Sequence, residues 1–335
     1  MNAPLVSKLD NDVLLILDAS YVAYYICNSA VRKWKQQYYD TSLETIQLPE
    51  PGSVQYEELP DLVNDTFYFK KVLMETALAK LAVVSSIVLE VTGHFYSSAN
   101  SGVNRVDTVL ARDAHGNLFR RRIYPEYKMQ RNEQRASRND FNHWKIFEYI
   151  YSTVYPEILP NQCTRTIMHP EAEGDDVIAS IIQSDFVRKH YRWVILISSD
   201  HDFCQLHRPE NHLRQFSLDG DEVKCEYKYE QGGRKLRAPI SADMALMLKI
   251  ITGDKSDNIP GIKYRLGIKT AYKLLSEGDG IENLRDLFTK EPEVKLAFDR
   301  NRKLIAFSEI PSELQGEIVT EMKHQFGFDC QEKSA

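Results

Sequence analysis

The sequence predicts an α/β protein with a central, mostly parallel β-sheet flanked by helices. Three short segments have the composition of buried strands, and helical patterns separate them. These segments are residues 13–17, 106–110 and 193–197. An aspartate lies at or just beyond the carboxyl end of each one: Asp18, Asp113 and Asp200. Because ligands of parallel sheets bind at the carboxyl ends of the strands, these aspartates are the first candidate site residues.

The remaining elements follow from periodicity and turn residues. Apolar side chains recur at helical spacing in several segments, and the tail beyond residue 280 has the same character. The predicted helices are 64–92, 140–155, 171–183, 241–252 and 269–277. Residues 213–218 and 222–227 are expected to form a β-hairpin around Asp219-Gly220-Asp221. Residues 32–60 are expected to be an irregular insertion, and 94–104 a loop.

Composition limits the class of protein. The chain has 335 residues, is 43% hydrophobic and carries a net charge of −6, which weighs against a uniformly basic nucleic-acid binder. The charge is uneven, however, since residues 119–139 hold many more basic than acidic side chains. The five cysteines are scattered without a CxxC pair, so neither a disulfide framework nor a zinc cage is expected. With no signal-peptide pattern and no long apolar run, we expect a cytoplasmic protein.

Carboxylates dominate the candidate site. Three compact acidic clusters accompany Asp18 and Asp113: they are Glu173-Gly174-Asp175-Asp176, Asp200-His201-Asp202 and Asp254-Lys255-Ser256-Asp257. Acidic pairs are often solvated caps and turns, but bringing all of these together without cations would cause strong repulsion. Oxygen-only ligands favour hard ions such as Mg²⁺ or Mn²⁺. Two such ions can catalyse phosphodiester hydrolysis without a catalytic histidine.

These motifs resemble those of the 5′ nuclease superfamily, which includes flap endonucleases, polymerase-associated 5′ nucleases, and bacteriophage 5′ exonucleases and ribonuclease H. The motifs occur in family order over residues 12–280. They are Leu17-Asp18-Ala19-Ser20, Ala111-Arg112-Asp113, Glu173-Gly174-Asp175-Asp176, Ser198-Ser199-Asp200-His201-Asp202-Phe203 and Gly253-Asp254-Lys255-Ser256-Asp257-Asn258-Ile259-Pro260-Gly261. The resemblance implies a PIN-like or resolvase-like catalytic domain at 1–240, with an arch region at 114–160. It also implies a helical duplex-binding domain at 241–335.

The resemblance further implies two metal sites. The first would be formed by Asp18, Asp113, Glu173 and Asp175. The second would be formed by Asp176, Asp200, Asp202 and Asp254, with Asp257 in support. The implied cofactor is Mg²⁺, two ions, with Mn²⁺ as a substitute.

The basic segment from Phe119 to Arg131 resembles the base of the family's helical arch. In this interpretation Lys128 and Arg131 stabilise the scissile phosphate as catalytic residues, from one helix face at three-residue spacing. Tyr127 would stack on an unpaired base. Arg120 and Arg122 would bind DNA.

Residues 261–271 resemble the family's helix–turn–helix element, which binds duplex phosphates. The predicted DNA-binding residues there are Lys263, Arg265, Gly267, Lys269 and Thr270. Tyr264-Arg265-Leu266 replaces the usual first glycine of the turn, which weighs against backbone coordination of K⁺. The interval from Asp18 to Asp113 is also longer than in phage and bacterial relatives.

The resemblance implies a metal-dependent 5′ nuclease that acts on DNA with a 5′ flap, a nick or an RNA primer during replication. The chain is expected to be a monomer, with single-strand-binding or other replication proteins as candidate partners. Two alternatives stay open. One is a PIN-like single-strand ribonuclease, and the other is an inactive protein that binds branched DNA.

Overall fold

The computed structural model describes residues 13–39, 67–93, 106–114, 118–130, 143–159, 163–231 and 234–328. Several sequence-based expectations lie outside these residues. They concern Arg131, the loop at 94–104 and the insertion from residue 40 onward.

Five parallel strands form the central sheet, in the spatial order β3-β2-β1-β4-β5. The strands are β1 (Val13–Asp18), β2 (Val106–Ala111), β3 (Thr164–Ile167), β4 (Trp193–Ile197) and β5 (Leu213–Phe216). β1 is central, with Leu15 opposite Thr108 of β2 on one side and Ile195 of β4 on the other. The strand order changes direction at β1, so the carboxyl ends of β1 and β4 frame the crevice where such sheets bind ligands.

Helices cover both faces of the sheet and make up the C-terminal region. Their bounds are α1 (Ala19–Tyr39), α2 (Phe67–Thr92), α3 (Phe119–Ile123), α4 (His143–Tyr149), a π-helical segment (Ile150–Val154), α5 (Tyr155–Ile158), α6 (Gly174–Gln183), α7 (Asp185–His190), α8 (Ala242–Thr252), α9 (Ile268–Ser276), α10 (Gly280–Lys290), α11 (Pro292–Ile305) and α12 (Ser312–Gln325). Short 3₁₀ helices occupy His201–Leu206, Pro209–Asn211, Lys255–Asp257 and Phe307–Glu309. A separate antiparallel hairpin joins β6 (Glu226–Gln231) to β7 (Arg234–Pro239).

Alternate side chains of β1 enter two different cores. Leu15 packs with α1, α2 and the segment from α4 to α5, whereas Leu14 packs with α6 on the opposite face. The last helix, α12, returns to this second face, where Ile318 and Met322 are buried. A third core, around Ile251 and Phe298, joins the C-terminal helices to one another. The proposed boundary at residue 240 stays a prediction.

The predicted α/β class and parallel sheet are confirmed, and two assignments need correction. The predicted hairpin at 213–227 is wrong, because Leu213–Phe216 pairs in parallel with β4 as the edge strand. The chain after β5 forms only one isolated antiparallel bridge with that strand, between Phe216 and Glu222. The regular antiparallel hairpin comes later in the sequence, in β6 and β7. Residues 32–39 are also not irregular, since α1 continues to Tyr39.

Helix α2 is long and apolar enough, over Phe69–Thr92, to satisfy a length-and-composition test for a membrane span. Core helices pass the same test. One face of α2, including Leu73 and Val88, is buried against the sheet. Packing against the sheet therefore accounts for the apolar composition of α2.

Candidate metal centre and nucleic-acid interface

The carboxyl ends of β1 and β4 hold Asp18 in a defined orientation. Its Oδ1 accepts a hydrogen bond from the backbone N–H of Tyr21 at 3.0 Å, and its Oδ2 accepts one from the Ser198 hydroxyl at 2.9 Å. Ser198 follows β4 directly and is buried. Asp18 is 9% exposed, so the carboxylate is fixed at the base of the crevice.

Asp113 joins the end of β2 to the start of α6. Its Oδ1 accepts the backbone N–H of Gly174 at 2.7 Å, and its Oδ2 accepts the Ser20 hydroxyl at 2.7 Å. A Cβ atom on Gly174 would lie 3.3 Å from Asp113 Oδ1, so a larger residue would require the Asp113 carboxylate to shift slightly. Glycine at this position thus permits the first turn of α6 to approach the strand-end carboxylate.

Asp18, Asp113, Asp175 and Asp200 form what we call the unpaired cluster. Within the described part of the chain, none of the four forms an ion pair with a lysine or arginine. Burial raises the pKa of Asp18 to about 6, and the charges of Asp113 and Asp200 contribute to the rise. Burial, Asp18 and Asp200 likewise raise the pKa of Asp175 well above its usual value. The cluster is therefore a site of concentrated negative potential.

The other carboxylates are held by lysines, and we call them the paired carboxylates. Lys128 Nζ binds Glu173 and lies 3.8 Å from Asp257 Oδ2. The Tyr127 hydroxyl donates to Glu173 Oε2 at 2.6 Å. Burial alone would raise the pKa of Glu173, but Lys128 and Arg120 together lower it.

Lys249 provides the second such contact. Its Nζ binds Asp202 and lies 2.9 Å from Asp254 Oδ2. Burial opposes the ionised form of Asp254, but the charge of Lys249 holds the pKa of that carboxyl at about 2. Sequence reasoning missed Lys249, which is the one basic residue within the otherwise apolar helical segment 242–252.

The loop from Gly253 to Gly261 orients these groups. Gly253 has φ +70°, and a Cβ there would lie 2.3 Å from the Ile259 carbonyl, so only glycine fits. Asp254 and Ile259 exchange two backbone hydrogen bonds, of 2.8 and 2.7 Å. The Asp257 carbonyl then accepts the Lys128 N–H at 2.9 Å. The loop thus places both the carboxylate of Asp254 and the backbone of Lys128.

Asp176 does not face the unpaired cluster. It is fully buried, where its Oδ2 accepts from the Arg120 guanidinium at 2.5 Å and from the Glu173 N–H at 3.0 Å. Arg120 is 3% exposed and also donates to the Leu304 carbonyl at 2.7 Å. These contacts correct one prediction, because Arg120 is not a surface DNA contact. Asp176 forms an internal ion pair and a helix cap through Oδ2, and its assignment to the second metal site stays a prediction.

The predicted roles of two further residues also change. Tyr127 is 3% exposed and is bonded to Glu173, so it is not available to stack on a base. Lys128 lies in a turn with φ +57° rather than in a helix, which rules out the predicted shared helix face with Arg131. Lys128 nevertheless lies among the carboxylates, in contact with Glu173 and near Asp257, and its catalytic role stays a prediction. Arg131 itself lies outside the described residues.

The grouping of acids also differs from the predicted one. Asp200 interacts with Asp18 and Asp175 and so belongs with the first set. Glu173 shares Lys128 with Asp257 and therefore lies with the paired carboxylates. Among the residues that the structure describes, no three or more His, Cys, Asp or Glu side chains already surround a common point as metal ligands. Because lysines occupy several carboxylate oxygens, we expect side chains to rearrange when a divalent ion binds.

The predicted duplex-binding residues lie on an exposed surface at the start of α9. Gly267 is the N-cap, and Lys269 and Thr270 are exposed in the first turn. Arg265 adopts φ +63° and so takes the left-handed conformation expected of the missing glycine. Lys263 pairs with Glu291 at 2.5 Å. Arg122 is exposed beside α3 and pairs with Glu171 at 2.7 Å.

Comparison with known proteins agrees with this geometry. Residues 79–231, which include β2 to β5 and most of the acidic motifs, match the family model for the 5′-3′ exonuclease N-terminal resolvase-like domain. The chain is therefore similar, over these residues, to the resolvase-like domain of 5′-3′ exonucleases. It is also similar to a 5′-3′ exonuclease of Buchnera aphidicola, 29% identical over 200 residues, with 59% of this chain and 61% of the relative covered. The ribonuclease H of Enterobacteria phage T4 is 26% identical over 269 residues, covering 75% of this chain and 83% of the relative.

Two solved structures of a bacteriophage T5 protein share the fold. The bacteriophage T5 flap endonuclease, in a pseudo-enzyme-product complex with DNA and metal ions, matches with a TM-score of 0.55 at 17% identity, covering 93% of this chain and 98% of the other. The T5 protein crystallised with metal ions gives a TM-score of 0.54 at 18% identity, with the same coverage. At these identities the likeness establishes the fold. The chain spans 61% of the Buchnera exonuclease and 14% of a matching Treponema pallidum DNA polymerase I.

Proposed function

We propose that the protein is a divalent-metal-dependent 5′ nuclease that hydrolyses phosphodiester bonds in branched or nicked duplex DNA. The observation that carries the proposal is the unpaired cluster. Four carboxylates from three strand ends and one helix start lie close enough to interact electrostatically, and none of the four forms an ion pair with a lysine or arginine in the described part of the chain. The match to the 5′-3′ exonuclease domain and the carboxylate site together favour phosphodiester hydrolysis over the other functions that a resolvase-like fold can support.

The donor set fits hard divalent ions. Asp18, Asp113, Asp175 and Asp200 offer only oxygen atoms. Burial raises the pKa values of Asp18 and Asp175, and repulsion by the neighbouring aspartates adds to the rise. Mg²⁺ prefers such ligands, and Mn²⁺ is a substitute. When bound, the ions supply activation of water and neutralisation of charge on the phosphate. Asp202 and Asp254 are placed to hold the second ion, once Lys249 releases them.

Lys128 is the protein's own cation at the site. Its side chain is 14% exposed, and its backbone is fixed by the Asp257 carbonyl at 2.9 Å. A fixed ammonium at this position can stabilise negative charge that develops on the scissile phosphate. A substrate phosphate would replace Glu173 as its partner.

The exposed start of α9 supplies a second point of contact with the substrate. Gly267, Lys269 and Thr270 present backbone and cationic groups that suit phosphates of duplex DNA. Binding of duplex DNA at the start of α9, together with metal binding at the carboxylates, would fix where along the strand the cut is made. The solved T5 complex, which contains DNA and metal ions, supports a DNA substrate.

The proposal extends to the nucleic acid at the substrate's 5′ end and to the cellular process in which the protein acts. Similarity to the phage T4 ribonuclease H supports removal of RNA primers, with a role in replication. We accordingly propose a cytoplasmic enzyme, in the host cytoplasm if the gene is viral, that works as a monomer beside single-strand-binding or other replication proteins.

The decisive test is cleavage of three 5′-labelled substrates: a flap DNA, an RNA primer annealed to DNA, and unstructured RNA. Each is incubated with Mg²⁺, Mn²⁺ or EDTA. Asp175→Asn should lower the metal-dependent rate by about 10³-fold, because roughly 4 kcal/mol of metal-mediated stabilisation is lost. The matched control is Asp243→Asn, an exposed acid that pairs with Arg208 at the surface.

Each alternative has its own result in this assay. Preference for unstructured RNA would indicate a single-strand ribonuclease. Tight flap binding without turnover at any metal concentration would indicate an inactive binding protein. Equal rates for wild type and Asp175→Asn would exclude the proposed metal site.

A further inference from the structure

Two cysteines and a histidine meet at the base of the β6–β7 hairpin, outside the carboxylate site. The Cys225 sulfur lies 3.6 Å from His207 Nδ1 and 3.5 Å from the carbonyl oxygen of Cys204. Cys204 lies in the 3₁₀ helix His201–Leu206, and Cys225 directly precedes β6. Residues that are 21 positions apart in sequence are thus brought together by the fold.

His207 is oriented by a buried amide. Both Gln215 Nε2 hydrogens are donated, to the carbonyls of Ser198 at 2.8 Å and Asp200 at 2.7 Å. Gln215 Oε1 is therefore an acceptor, and His207 Nε2, at 2.8 Å from it, is the donor. The other ring nitrogen of His207, Nδ1, is consequently directed to the Cys225 sulfur.

This arrangement stabilises a thiolate at Cys225. The neighbouring Cys204 thiol and, after it, His207 lower the pKa of Cys225 to about 5, although burial opposes the shift. Burial opposes the charged form of His207, but its contacts with Cys225 and Gln215 raise the pKa of His207. Cys225 is partly exposed, whereas Cys204 is buried. Cys27 provides a contrast inside the same chain, since burial raises its pKa to about 12.

We propose that Cys225 is a modification site: a peroxide-reactive thiol that is resolved by Cys204. The Cys225 thiolate attacks hydrogen peroxide, which breaks the O–O bond, forms Cys225–SOH and releases hydroxide. The Cys204 thiol then attacks the sulfenic sulfur, so that the S–S bond forms and water leaves. Two electrons pass from the two thiols to one peroxide, and no other reactant is needed.

The expected consequence lies at the neighbouring carboxylates. Cys204 is two residues from Asp202 in one 3₁₀ helix, and Gln215 connects His207 to the Asp200 backbone. A disulfide would tie that helix to the root of the hairpin, and we expect slower metal-dependent cleavage. This consequence rests on the proposed function, whereas the thiol chemistry does not.

The first experiment measures thiol reactivity in the folded, EDTA-treated full chain by iodoacetamide labelling and peptide mass spectrometry. Labelling is done at pH 6, where Cys225 is mostly thiolate and a free cysteine is mostly protonated. This difference in thiolate fraction exceeds the lower intrinsic nucleophilicity of a low-pKa thiolate at pH 6, whereas the two effects nearly cancel at pH 7. Cys225 should react about tenfold faster than a free cysteine at pH 6, while the Cys27 peptide from the same digest stays unlabelled. Equal labelling of Cys225 and Cys27 would overturn the proposal.

The second experiment treats wild type and two conservative variants with hydrogen peroxide. Wild type should lose two hydrogens and yield a Cys204–Cys225 peptide. Cys204→Ser, which keeps a hydroxyl donor, should instead accumulate a sulfenic acid that dimedone traps at Cys225. Cys225→Ser should leave Cys204 reduced, and thermal melting confirms that both variants are folded. Oxidation of Cys204 in Cys225→Ser, or no mass change in the wild type, would refute the assignment.

Discussion

The unpaired cluster and the paired carboxylates use the same side-chain type in opposite ways. Asp18 and Asp175 face other acids, and their pKa values are raised. Asp254 faces Lys249, and its pKa is lowered to about 2. Both groups lie at one end of one sheet. Burial raises the pKa of Asp202 as well, despite its contact with Lys249, whereas the charge of Lys249 outweighs burial at Asp254. The difference therefore arises from the depth of burial together with the position of the nearest lysine.

The comparison shows where a divalent ion gains most. In the unpaired cluster an added cation relieves repulsion that folding has already created. At the paired carboxylates it must first displace an ammonium that is already bound. We therefore expect the two positions to bind metal with different affinities, the unpaired cluster first.

Among variants at the two carboxylate groups, the largest effect on stability is expected from removing one charge of the unpaired cluster. Asp18 has a folded-state pKa of about 6 against a model value of 3.8, so its ionised form is disfavoured in the folded state. The protonated carboxyl of Asp18 thus contributes stability that is fully present below about pH 4 and is lost as the pH rises through about 6. In EDTA at pH 7, Asp18→Asn should be more stable than wild type by about 3 kcal/mol, and the two should converge near pH 4.

Thermal melting in EDTA across this pH range measures the difference, and repeating it with Mg²⁺ provides the control. Added metal should stabilise wild type more than Asp18→Asn, which reverses their order or narrows the gap. A variant that is less stable than wild type in EDTA at pH 7 would contradict the view that the cluster is repulsive.

A smaller effect is expected at the paired carboxylates. Lys249→Met removes the cation from Asp202 and Asp254, which are partly exposed, so the expected loss of stability in EDTA is about 1–2 kcal/mol. Mg²⁺ should restore more stability to this variant than to wild type, and half-saturation should occur at a lower Mg²⁺ concentration. Lys295→Met is the matched control, because it breaks an exposed i,i+4 pair with Asp299. If the variant gains no more from Mg²⁺ than wild type does, Lys249 and the metal do not compete.

The sequence predicts one of these groups better than the other. Asp18, Asp113 and Asp200 follow from a local rule, since each lies at or beyond a recognisable strand end. Asp175 follows in the same way, as an acid in the first turn of a helix. The partners of the paired carboxylates come from tertiary contacts: Lys249 is 47 residues from Asp202, and Arg120 is 56 residues from Asp176. Sequence periodicity carries no information about such contacts, so the sequence does not indicate that Arg120 is buried against Asp176 rather than exposed to DNA.

The partner of strand β5 is likewise set by a tertiary contact that the local sequence does not reveal. Leu213–Phe216 is followed by Asp219-Gly220-Asp221, which indicates a hairpin turn, and a bridge from Phe216 to Glu222 does form. The strand nevertheless pairs with β4, because the sheet offers a longer parallel edge. The turn residues correctly predict a local reversal of the chain after β5, but the partner strand of β5 depends on the rest of the sheet.

The smallest predicted effect separates two neighbouring arginines that the sequence treated alike. Arg122 is exposed and pairs with Glu171, whereas Arg120 is buried against Asp176. Arg122→Met should weaken binding of flap DNA uniformly across sequences and lower the salt slope of log Kobs by about 0.9, as expected for one lost phosphate contact. Its melting temperature should match that of wild type. Binding is measured in EDTA, so that cleavage does not interfere, at several salt concentrations.

Arg120→Met is the counterpart, because it leaves a buried carboxylate without its partner. We expect it to lose about 3–5 kcal/mol of stability, while the molecules that remain folded keep the wild-type salt slope. An unchanged salt slope in Arg122→Met would remove this arginine from the DNA interface and restrict phosphate binding to the surface at the start of α9. A lowered slope in folded Arg120→Met would instead show that the internal ion pair orients the DNA-binding surface, so that the buried and exposed charges of this segment act together.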